Sequence, residues 1–410
     1  SYGFQPGYSC ADAKWCITRQ IQGSPKYFLD ADIKGCFDNI DHDYLIDKLE
    51  TIGSIKEQVR SYLKAGIMDP QEKEHEVLNN DKGTPQGGIL SPLLANIALH
   101  GLEDHINYVL KNKVKVIRYA YDFVILGNRI EDIYKSKELV STFLKPIGLE
   151  LNIEKTRIGH SMYSYEGGMI GVEFLGFYFR NYKCSKHRGV KSTWGKTQEF
   201  KQKTIPSRKA VKSHLSSLSV CLKKHKSSPI RLLIKALSAR IRGWTNYFCV
   251  GGSTKTFSYL DYRLWKMLWK WSVKRHKSAQ GAIRKTWVHS NWKLSSIGEK
   301  GKLISLNRHD QTKVRKHIKI RPKASVYDGD ILYFCERLSL GNSRFRRMKA
   351  LIVSQQYKCS LCNMPLRPDD IIELHHVTPS SLILEKKAKS GFHFVHGHCH
   401  DQLHTGRVKI

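Results

Sequence analysis

The stretch that most constrains this chain is residues 113–127. Two apolar arms rich in β-branched residues, Val114–Ile117 and Phe123–Leu126, flank a short centre that reads Tyr119-Ala-Tyr-Asp122. Such arms around a short centre predict a β-hairpin with a carboxylate at its tip. A single Asp in that place is most often a turn residue, so the neighbouring stretches decide its meaning.

Two stretches upstream carry matching chemistry. Residues 27–42 hold an apolar strand that ends at Asp32 among several carboxylates, and residues 83–96 hold a Gly-rich turn that feeds an apolar helix. Carboxylates at the ends of neighbouring strands can hold two Mg²⁺ ions against a nucleoside triphosphate. Strand and helix patterns alternate over residues 1–180, which predicts an α/β domain.

These three stretches, in this order, resemble the palm of reverse transcriptases, and the amino-acid sequence of each resembles the group II intron-encoded kind. Leu149–Ile158 and Phe174–Phe179 resemble the next two blocks of the family, the second as a strand at the primer grip. The resemblance implies DNA synthesis from dNTPs on an RNA template, with Mg²⁺ held by Asp32 and Asp122. It also implies that the residues in contact with the nucleotide or the primer are Phe37, Gln86, Gly87, Lys155 and Gly176.

Three of these assignments have plain structural alternatives. Phe37 also fits a core position, and Lys155 also fits a solvated surface position. The turn at Gly83–Gly88 also fits a simple helix entry, although glycine there would let the backbone approach a template and an incoming base closely. The residues alone leave both interpretations open.

The centre of the hairpin departs from the family at one position. The family reads Tyr-Ala-Asp-Asp, and its first Asp is a catalytic metal ligand, whereas this chain has Tyr121 there and keeps only Asp122. A phenol with a pKa of about 10 is not a Mg²⁺ ligand at neutral pH. Because two-metal catalysis needs both ions in position, we expect the polymerase to be impaired.

The charge balance implies a polyanionic partner. The 410 residues, enough for two or three domains, include 69 Lys and Arg against 36 Asp and Glu, which gives a net charge of +33. Nucleic acid is the usual partner of such a chain, and an anionic membrane surface is the alternative. No run of about 18 apolar residues is present, so no membrane-spanning helix is expected.

Residues 181–325 predict a basic helical bundle. Lys and Arg recur there every few residues, and the only acids are Glu199, Asp261, Glu299 and Asp310. Three sets of apolar residues fall on helical faces and predict three amphipathic helices. The sets are Val211, Leu215, Leu218 and Leu222; Ile230, Ile234, Leu237, Ile241, Trp244 and Phe248; and Phe257, Leu260, Leu264, Met267 and Trp271.

The second of these helices carries a further resemblance. Ile241–Phe248 resembles the maturase domain of the same family, which binds intron RNA, so Arg242, Trp244 and Tyr247 are candidate RNA contacts. Trp244 and Phe248 also fit the core at this spacing, and that interpretation is favoured for both. We expect the Lys and Arg residues of the bundle to meet phosphates rather than bases.

A metal site is indicated in residues 357–408. Cys359-Ser-Leu-Cys362 and His396-Gly-His-Cys399 are two pairs with the spacing of a zinc site, and His398 is the rival of His396. Four nitrogen and sulfur ligands in two such pairs suit tetrahedral Zn²⁺ in a structural role. The ten cysteines of so basic a chain indicate intracellular thiols and a metal site, not a secreted disulfide scaffold.

The other histidines of this region resemble those of an HNH (ββα-metal) nuclease. The resemblance implies that His376 is the general base that activates water and that Glu373 orients the histidine at 375. It implies Mg²⁺ or a similar ion held by His375, His400 and His404. The alternative is that these histidines only ligate zinc or lie on the surface. The middle Asn of the family is replaced near Gly391, so weakened nicking is expected.

The chain therefore resembles a partial group II intron-encoded protein with three domains. We expect a reverse transcriptase palm in residues 1–180, a helical thumb and maturase domain with a basic linker in residues 181–325, and a small zinc-containing HNH domain in residues 326–410. Because Gly3–Ser9 already resembles the second block of the family, the fingers are expected to be incomplete and the chain to be a fragment of a longer protein.

The implied functions are, in order of expectation, intron RNA binding for splicing, nicking of DNA at the homing site, and reverse transcription. The alternative is a degenerate, non-catalytic RNA-binding splicing factor. The expected partners are group II intron RNA, target-site DNA and dNTPs, with a homodimer left open. The expected location is a mitochondrion, a chloroplast or the bacterial cytoplasm.

Overall fold

The structure, a computed structural model, describes most of the chain. The described residues are 1–65, 67–68, 77–78, 81–85, 87–168, 170–184, 190–191, 197–286, 294–297, 301–321, 324–325, 327, 333–334, 337, 349–367, 370–376 and 392–405. They form two compact units, one made of Ser1 and Ala13–His317, the other of Tyr2–Asp12 and Ile318–Ile410. The domain boundaries expected at residues 180 and 325 stay predictions.

Helices and strands alternate in the first half of the chain, and helices dominate the second. The helices are α1 (Cys10–Gly23), α2 (Cys36–Asn39), α3 (His42–Lys48), α4 (Gly53–Lys64), α5 (Ser91–Ala98), α6 (Leu102–Val109), α7 (Ile130–Leu144), α8 (Arg208–Lys224), α9 (Ile230–Phe248), α10 (Thr254–His276), α11 (Ala279–Thr286), α12 (Lys349–Ser354) and α13 (Gly397–His404). The strands are β1 (Tyr27–Ala31), β2 (Ile67–Met68), β3 (Val77–Leu78), β4 (Val114–Tyr119), β5 (Asp122–Gly127), β6 (Arg157–His160), β7 (Val172–Phe174), β8 (Phe177–Lys183), β9 (Val190–Lys191), β10 (Thr197–Gln198), β11 (Phe200–Pro206), β12 (Ser295–Ile297), β13 (Leu303–Ser305), β14 (Ile372–His376) and β15 (Phe392–His396).

The first sheet is antiparallel, with strand order β4-β5-β1-β6. Helices α6 and α7 pack against β4, β5 and β1. The paired residues Leu29 and Ile125 are fully buried in the core that the sheet shares with these helices. Because side chains alternate along a strand, Asp30 and Asp122 lie on the face away from this core.

The predicted hairpin is confirmed, and its tip is a loop of two residues, Ala120 and Tyr121. Ala120 has a φ of 56°, the left-handed conformation that such tight hairpin loops require. Buried Arg118 supports the tip, since its guanidinium donates to the carbonyl of Ala120 and to the side chains of Asn96 and Glu103. The partly buried ion pair between Arg118 and Glu103 therefore helps to hold the hairpin loop in place.

The second sheet has strand order β11-β8-β7 and corrects one expectation. The Phe174–Phe179 block was predicted to be one strand, but it is a hairpin that pairs Phe174 with Phe177. The two residues between them, Leu175 and Gly176, both have positive φ values, 49° and 73°. A glycine between aromatic residues supplied the turn that the apolar pattern concealed.

Helices α8, α9 and α10 confirm the three predicted amphipathic faces. Leu218 and Leu222 of α8 pack with Leu237 and Ile241 of α9 and with Leu264 of α10 in one buried cluster. The Lys and Arg residues of these helices lie mainly on the outside. The apolar faces thus hold the helices together, and the cationic faces point to solvent.

A buried chain of polar groups joins α8 to α10. His214 Nε2 lies 2.9 Å from His309 Nε2, and His309 Nδ1 lies 2.7 Å from Asp261 Oδ1. The Asp261 carboxylate accepts from Nδ1 of His309, and one hydrogen bond joins the Nε2 atoms of the two rings. Burial and the neighbouring His309 lower the pKa of His214 to about 4, so His214 is neutral at pH 7.

The second unit contains a short β14–β15 hairpin with α12 and α13 against it. Its small core gathers Ile352, Tyr357, Leu366, Phe394 and Val395, together with the sulfur-bearing side chains of Cys359 and Cys399. So small a core gives limited stabilisation by itself, so a bound metal ion would add to it. None of the helices in the described ranges combines the length and the apolar character that a membrane crossing needs.

Candidate carboxylate and metal sites

The structure brings Asp32 and Asp122 to the same end of two paired strands. Ala31 of β1 is in register with Phe123 of β5. Asp32 directly follows Ala31, and Asp122 directly precedes Phe123. The two carboxylates therefore lie side by side at the same end of β1 and β5. Burial raises the pKa of Asp122, and the charge of Asp32 raises it further. Oxygen donors of this kind fit Mg²⁺.

A third carboxylate, Asp30, adds to this cluster and was not singled out from the sequence. Burial is the main cause that raises the pKa of Asp30, to about 7; Arg157 opposes the rise, and the charges of Asp122 and Asp32 add to it. Lys155 Nζ lies 3.3 Å from Asp32 Oδ2, so the lysine predicted for the triphosphate does face the carboxylates. Three acids against few cations form a site that favours a divalent cation.

Tyr121 lies beside these acids, as its sequence position predicts. Burial and the charges of Asp122 and Asp32 raise the pKa of the Tyr121 phenol above its ordinary value. The hydroxyl therefore stays protonated at neutral pH and cannot act as an anionic metal ligand. The surroundings strengthen the expectation that this residue impairs two-metal chemistry.

The ring of Phe37 meets the ring of Tyr121 edge to face, with 5.4 Å between the ring centroids. Phe37 is half-buried against the main core, so it partly satisfies both the core and the nucleotide interpretation. Its position beside Tyr121 puts it at the carboxylate site. Its contact with a nucleotide stays a prediction.

The Gly-rich turn packs on the segment that carries Phe37. Gly83 has a φ of 82°, and a Cβ there would lie 2.5 Å from the carbonyl oxygen of Phe37. Glycine is therefore required by a contact within the protein, whether or not a template also approaches. Gly87 has a φ of 89° and open space around it, while Gln86 lies outside the described residues.

The predicted primer residue Gly176 faces the helices. A Cβ on Gly176 would lie 3.3 Å from the ring of Phe248, and the Gly176 carbonyl accepts from the Ser207 amide. The Tyr247 hydroxyl donates to the Leu175 carbonyl at 2.9 Å. This turn is thus held by α9, and a role at the primer stays a prediction.

The three RNA candidates on α9 lie in different environments. Trp244 stacks on His214 at 4.8 Å and also contacts Phe248, which is buried. The favoured core interpretation is confirmed for Phe248 and fits half-buried Trp244. Tyr247 is partly engaged by its hydroxyl, and Arg242 is exposed. Arg242 is therefore the one of the three that is best placed to meet a phosphate.

The four predicted zinc ligands come together in the second unit. One ligand atom from each of Cys359, Cys362, His396 and Cys399 lies within 4.8 Å of the others. The turn that carries Cys359 and Cys362 closes with a hydrogen bond from the backbone amide of Asn363 to the Cys359 carbonyl. His396, and not its rival His398, contributes to this set. Such a donor set fits structural Zn²⁺.

The imidazole of His396 is oriented for this set. Its Nε2 lies 3.2 Å from both Asp370 Oδ2 and the Pro365 carbonyl, which leaves Nδ1 to face the sulfur of Cys362 at 3.3 Å. A carboxylate on the far nitrogen is the usual support of a metal-bound histidine. Asp370 was not foreseen, because no spacing rule singles it out.

The sulfur atoms differ in their acidity. Burial opposes ionisation of Cys359, but backbone amides that donate to it outweigh burial and lower its pKa to about 7. Burial and the neighbouring Cys362 and Cys359 raise the pKa of Cys399 to about 12. A divalent cation would stabilise the thiolates and lower the pKa of each cysteine that binds it.

A second cluster contains His375 from β14 with His400 and His404 from α13, with one nitrogen of each within 4.8 Å of the others. Glu373 was expected to orient His375, but its carboxylate lies 2.5 Å from His400 Nδ1. Glu373 and His375 project from the same face of β14, and α13 packs on that strand, so the carboxylate reaches the helix. The contact fixes the far nitrogen of His400.

The donor chemistry of this cluster bears on the ion that it would hold, and Mg²⁺ at this place stays a prediction. Mg²⁺ prefers oxygen ligands, whereas three imidazole nitrogens suit Zn²⁺ and related transition ions. His375, His400 and His404 therefore fit such an ion better than Mg²⁺. His376 lies in β14, paired along the backbone with Phe392, but its side chain lies outside the described parts, as does Gly391.

Known families match this architecture. Residues 1–179 match the family "Reverse transcriptase (RNA-dependent DNA polymerase)", and residues 209–292 match "Group II intron, maturase-specific domain". The chain therefore carries a reverse transcriptase domain followed by a group II intron maturase domain. Its curated relatives include proteins encoded in introns.

The chain is homologous to the "Group II intron-encoded protein LtrA" of Lactococcus lactis subsp. cremoris, with 27% identity over 368 residues, 70% of this chain and 58% of LtrA. The "Uncharacterized 91 kDa protein in cob intron" of Schizosaccharomyces pombe is 26% identical over 60% of this chain and 37% of its own length. A COX1/OXI3 intron 1 protein of Saccharomyces cerevisiae is 30% identical over 38% of this chain and 25% of its own length. The chain spans less than two thirds of each of these proteins.

Among solved structures, a telomerase from Candida tropicalis aligns with 71% of this chain and 54% of its own, at 14% identity and a TM-score of 0.35. An overlap at that level supports no conclusion about function.

We predict that His396→Ala lowers the zinc content of the purified protein by about one ion per chain, because it removes one of four ligands of a closed site. His398→Ala is the matched control, since His398 is exposed two residues away. Elemental analysis after dialysis against a mild chelator measures both. Equal zinc loss in the two variants would contradict the assignment of His396.

Proposed function

We propose that this protein binds group II intron RNA and assists its splicing. The observation that carries the proposal is the acid-depleted, cationic exterior of α8, α9 and α10, within the region that matches the maturase domain. Asp261 is the only acid on these three helices, and its carboxylate is bonded to His309 and the amide of Asp310. The outer faces therefore present almost unopposed positive charge.

That charge suits the phosphate backbone of RNA. Exposed cations on the three helices include Lys209, Lys212, Lys235, Arg240, Arg242 and Lys255. Contacts of this kind position a nucleic acid and supply affinity, whereas base contacts supply specificity. The homology to LtrA, whose name identifies a group II intron-encoded protein, supports intron RNA as the ligand.

We also propose that residues 326–410, within the second unit, form an HNH DNA endonuclease domain. The observation that favours it is the His375, His400 and His404 cluster beside a separate four-ligand set, because one closed and one open metal site suit a structural and a catalytic ion. Such an ion, when bound, would stabilise charge on a scissile phosphate. His376 would take a proton from the attacking water, and Glu373 holds His400 in position.

We propose that the first unit has the fold of an RNA-directed DNA polymerase and that Tyr121 impairs its activity in this chain. Asp32, Asp122 and Lys155 form a site that suits Mg²⁺ and a triphosphate, but Tyr121 replaces a ligand. A splicing factor without polymerase activity is the alternative. Target-site DNA, dNTPs, a homodimer, and an organellar or bacterial location remain parts of the proposal.

For RNA binding, we predict that affinity for group II intron RNA falls about a thousandfold when salt rises from about 50 to about 200 mM, because phosphate contacts release counterions. In the double variant Lys235→Gln, Arg240→Gln, the slope of log affinity against log salt concentration is shallower by about two units. Lys64→Gln, an exposed lysine of α4, is the control and leaves the slope unchanged. Salt-insensitive binding would contradict the helical surface as the RNA site.

For the polymerase, we predict that Tyr121→Asp raises Mg²⁺-dependent primer extension on an RNA template by at least about tenfold, because it supplies the missing carboxylate. Tyr121→Phe, which keeps the ring but adds no ligand, gives no increase. The comparison uses the full-length protein. Equal extension by the native chain and the Asp variant would show that residue 121 does not limit the reaction.

For the nuclease, we predict that His376→Ala lowers DNA nicking by more than about a hundredfold, because the general base is removed. His400→Ala has a similar effect by loss of the metal ion. His398→Ala serves as the control and retains nicking. Unchanged nicking in the His376 variant would remove His376 from the role of base.

A further inference from the structure

We propose that the outer face of α10 is a stacking surface for unpaired nucleobases of RNA. This α10 face consists of Lys255, Tyr259, Tyr262, Arg263, Lys266 and Lys270. The proposal rests on the proposed function of the chain in binding RNA, and it adds where and how unpaired bases are held. None of these residues belongs to the maturase motif that the sequence singled out.

The α10 face is one contiguous stripe. At about 100° per residue, its members fall within an arc of about 100° and extend over about 22 Å of the helix. All of them are exposed, and the rings of Tyr259 and Tyr262 are 44% and 53% exposed. The two residues are about 4.5 Å apart along the helix axis, so their side chains leave the helix at neighbouring places on this face.

The helix hides its other aromatic side chains. Phe257 is buried, and Trp265, Trp269 and Trp271 pack against the core of the three helices. Two tyrosines left half in water on the same helix are therefore a local exception. Exposed tyrosines occur elsewhere in the chain, but here two of them share one face with four cations, which offers both aromatic surface and positive charge to a ligand.

Each tyrosine is paired with a cation. The Arg263 guanidinium lies 5.7 Å from the centroid of the Tyr259 ring and donates to the Tyr259 hydroxyl at 2.7 Å. Lys266 Nζ lies 4.5 Å from the centroid of the Tyr262 ring. Rings interleaved with cations are the chemistry that binds single-stranded nucleic acid, because bases stack on the rings and phosphates meet the cations.

Helix α10 places no acid on this face. Asp261 is next to Tyr262 in sequence, but it projects from another side of α10 and accepts hydrogen bonds from His309 and Asp310. The positive charge of the α10 face is therefore not neutralised from its own helix. An unpaired RNA segment is the complementary partner, since paired bases have no exposed aromatic surface to offer.

The aromatic residues first expected to contact RNA are engaged elsewhere. Trp244 stacks on His214, and the Tyr247 hydroxyl bonds to the Leu175 carbonyl. Tyr259 and Tyr262 are therefore better placed to stack on bases than either residue of α9.

The test measures binding of a short oligouridylate that carries one 2-aminopurine base, whose fluorescence reports stacking. The double variant Tyr259→Leu, Tyr262→Leu binds about tenfold or more weakly than the native protein and loses the stacking signal. The slope of affinity against salt stays unchanged, because no phosphate contact is lost. The double Phe variant, which keeps both rings, binds within about twofold of the native protein. Tyr108→Leu, at a tyrosine of α6 that is 84% exposed, is the control and has no effect.

Three further arms identify the ligand. A fully paired RNA duplex is bound equally by the native protein and the double Leu variant. Oligodeoxythymidylate shows the same loss as oligouridylate, because stacking reads the base and not the sugar. Lys266→Gln with Lys270→Gln makes the salt slope shallower while the stacking signal remains.

If the double Leu variant binds oligouridylate as well as the native protein does, the stacking proposal is wrong. If the same variant still binds intron RNA with a steep salt dependence, the proposed RNA-binding function is retained. Competition by polyglutamate as effective as that by oligouridylate also overturns the stacking proposal, since an acidic protein would then satisfy the face. Circular dichroism and a melting curve matching those of the native chain establish that the exposed substitutions leave the fold intact.

Discussion

The pairing of β1 with β5 is the constraint on which the carboxylate site depends. Leu29 and Ile125 face each other in this pair and are fully buried, so the core fixes the register. A slip of one residue would move the apolar side chains of β1 to the opposite face. It would also part Asp32 from Asp122, because each adjoins a residue of the Ala31 and Phe123 pair. The energy of the core thus holds together acids that repel one another.

The fold holds these acids together although their charges repel one another, so the site can form independently of its catalytic activity. Burial disfavours the ionised forms of Asp30 and Asp122; the charges of Asp122 and Asp32 add to this effect at Asp30, and the charge of Asp32 adds to it at Asp122. A cation relieves this cost, and Lys155 supplies only part of the charge. Tyr121 neither adds an acid nor disturbs the fold, since its ring packs against Phe37. The pocket can therefore persist whether or not residue 121 limits the polymerase, and α8, α9 and α10 contribute none of its three carboxylates.

Sequence patterns predicted what is local and periodic. The β4–β5 hairpin and the faces of α8 to α10 followed from alternation and from helical spacing. The hairpin at Leu175 and Gly176 was missed, because a continuous apolar pattern concealed a two-residue turn. The pairing of His214 with His309 joins residues 95 positions apart, and no spacing rule relates them. Whether Trp244 points to RNA or to the core depended on that same distant histidine.

The candidate metal sites show the same division between near and distant contacts. The Cys and His spacing placed the four ligands, but the carboxylates that support them came from the fold. Asp370 holds the far nitrogen of His396, and Glu373 holds the far nitrogen of His400. Both acids lie at the start of β14, and both histidines lie at or after the end of β15, which pairs with it. One short hairpin therefore orients a histidine in each cluster, so a change that opens it would disturb both sites together.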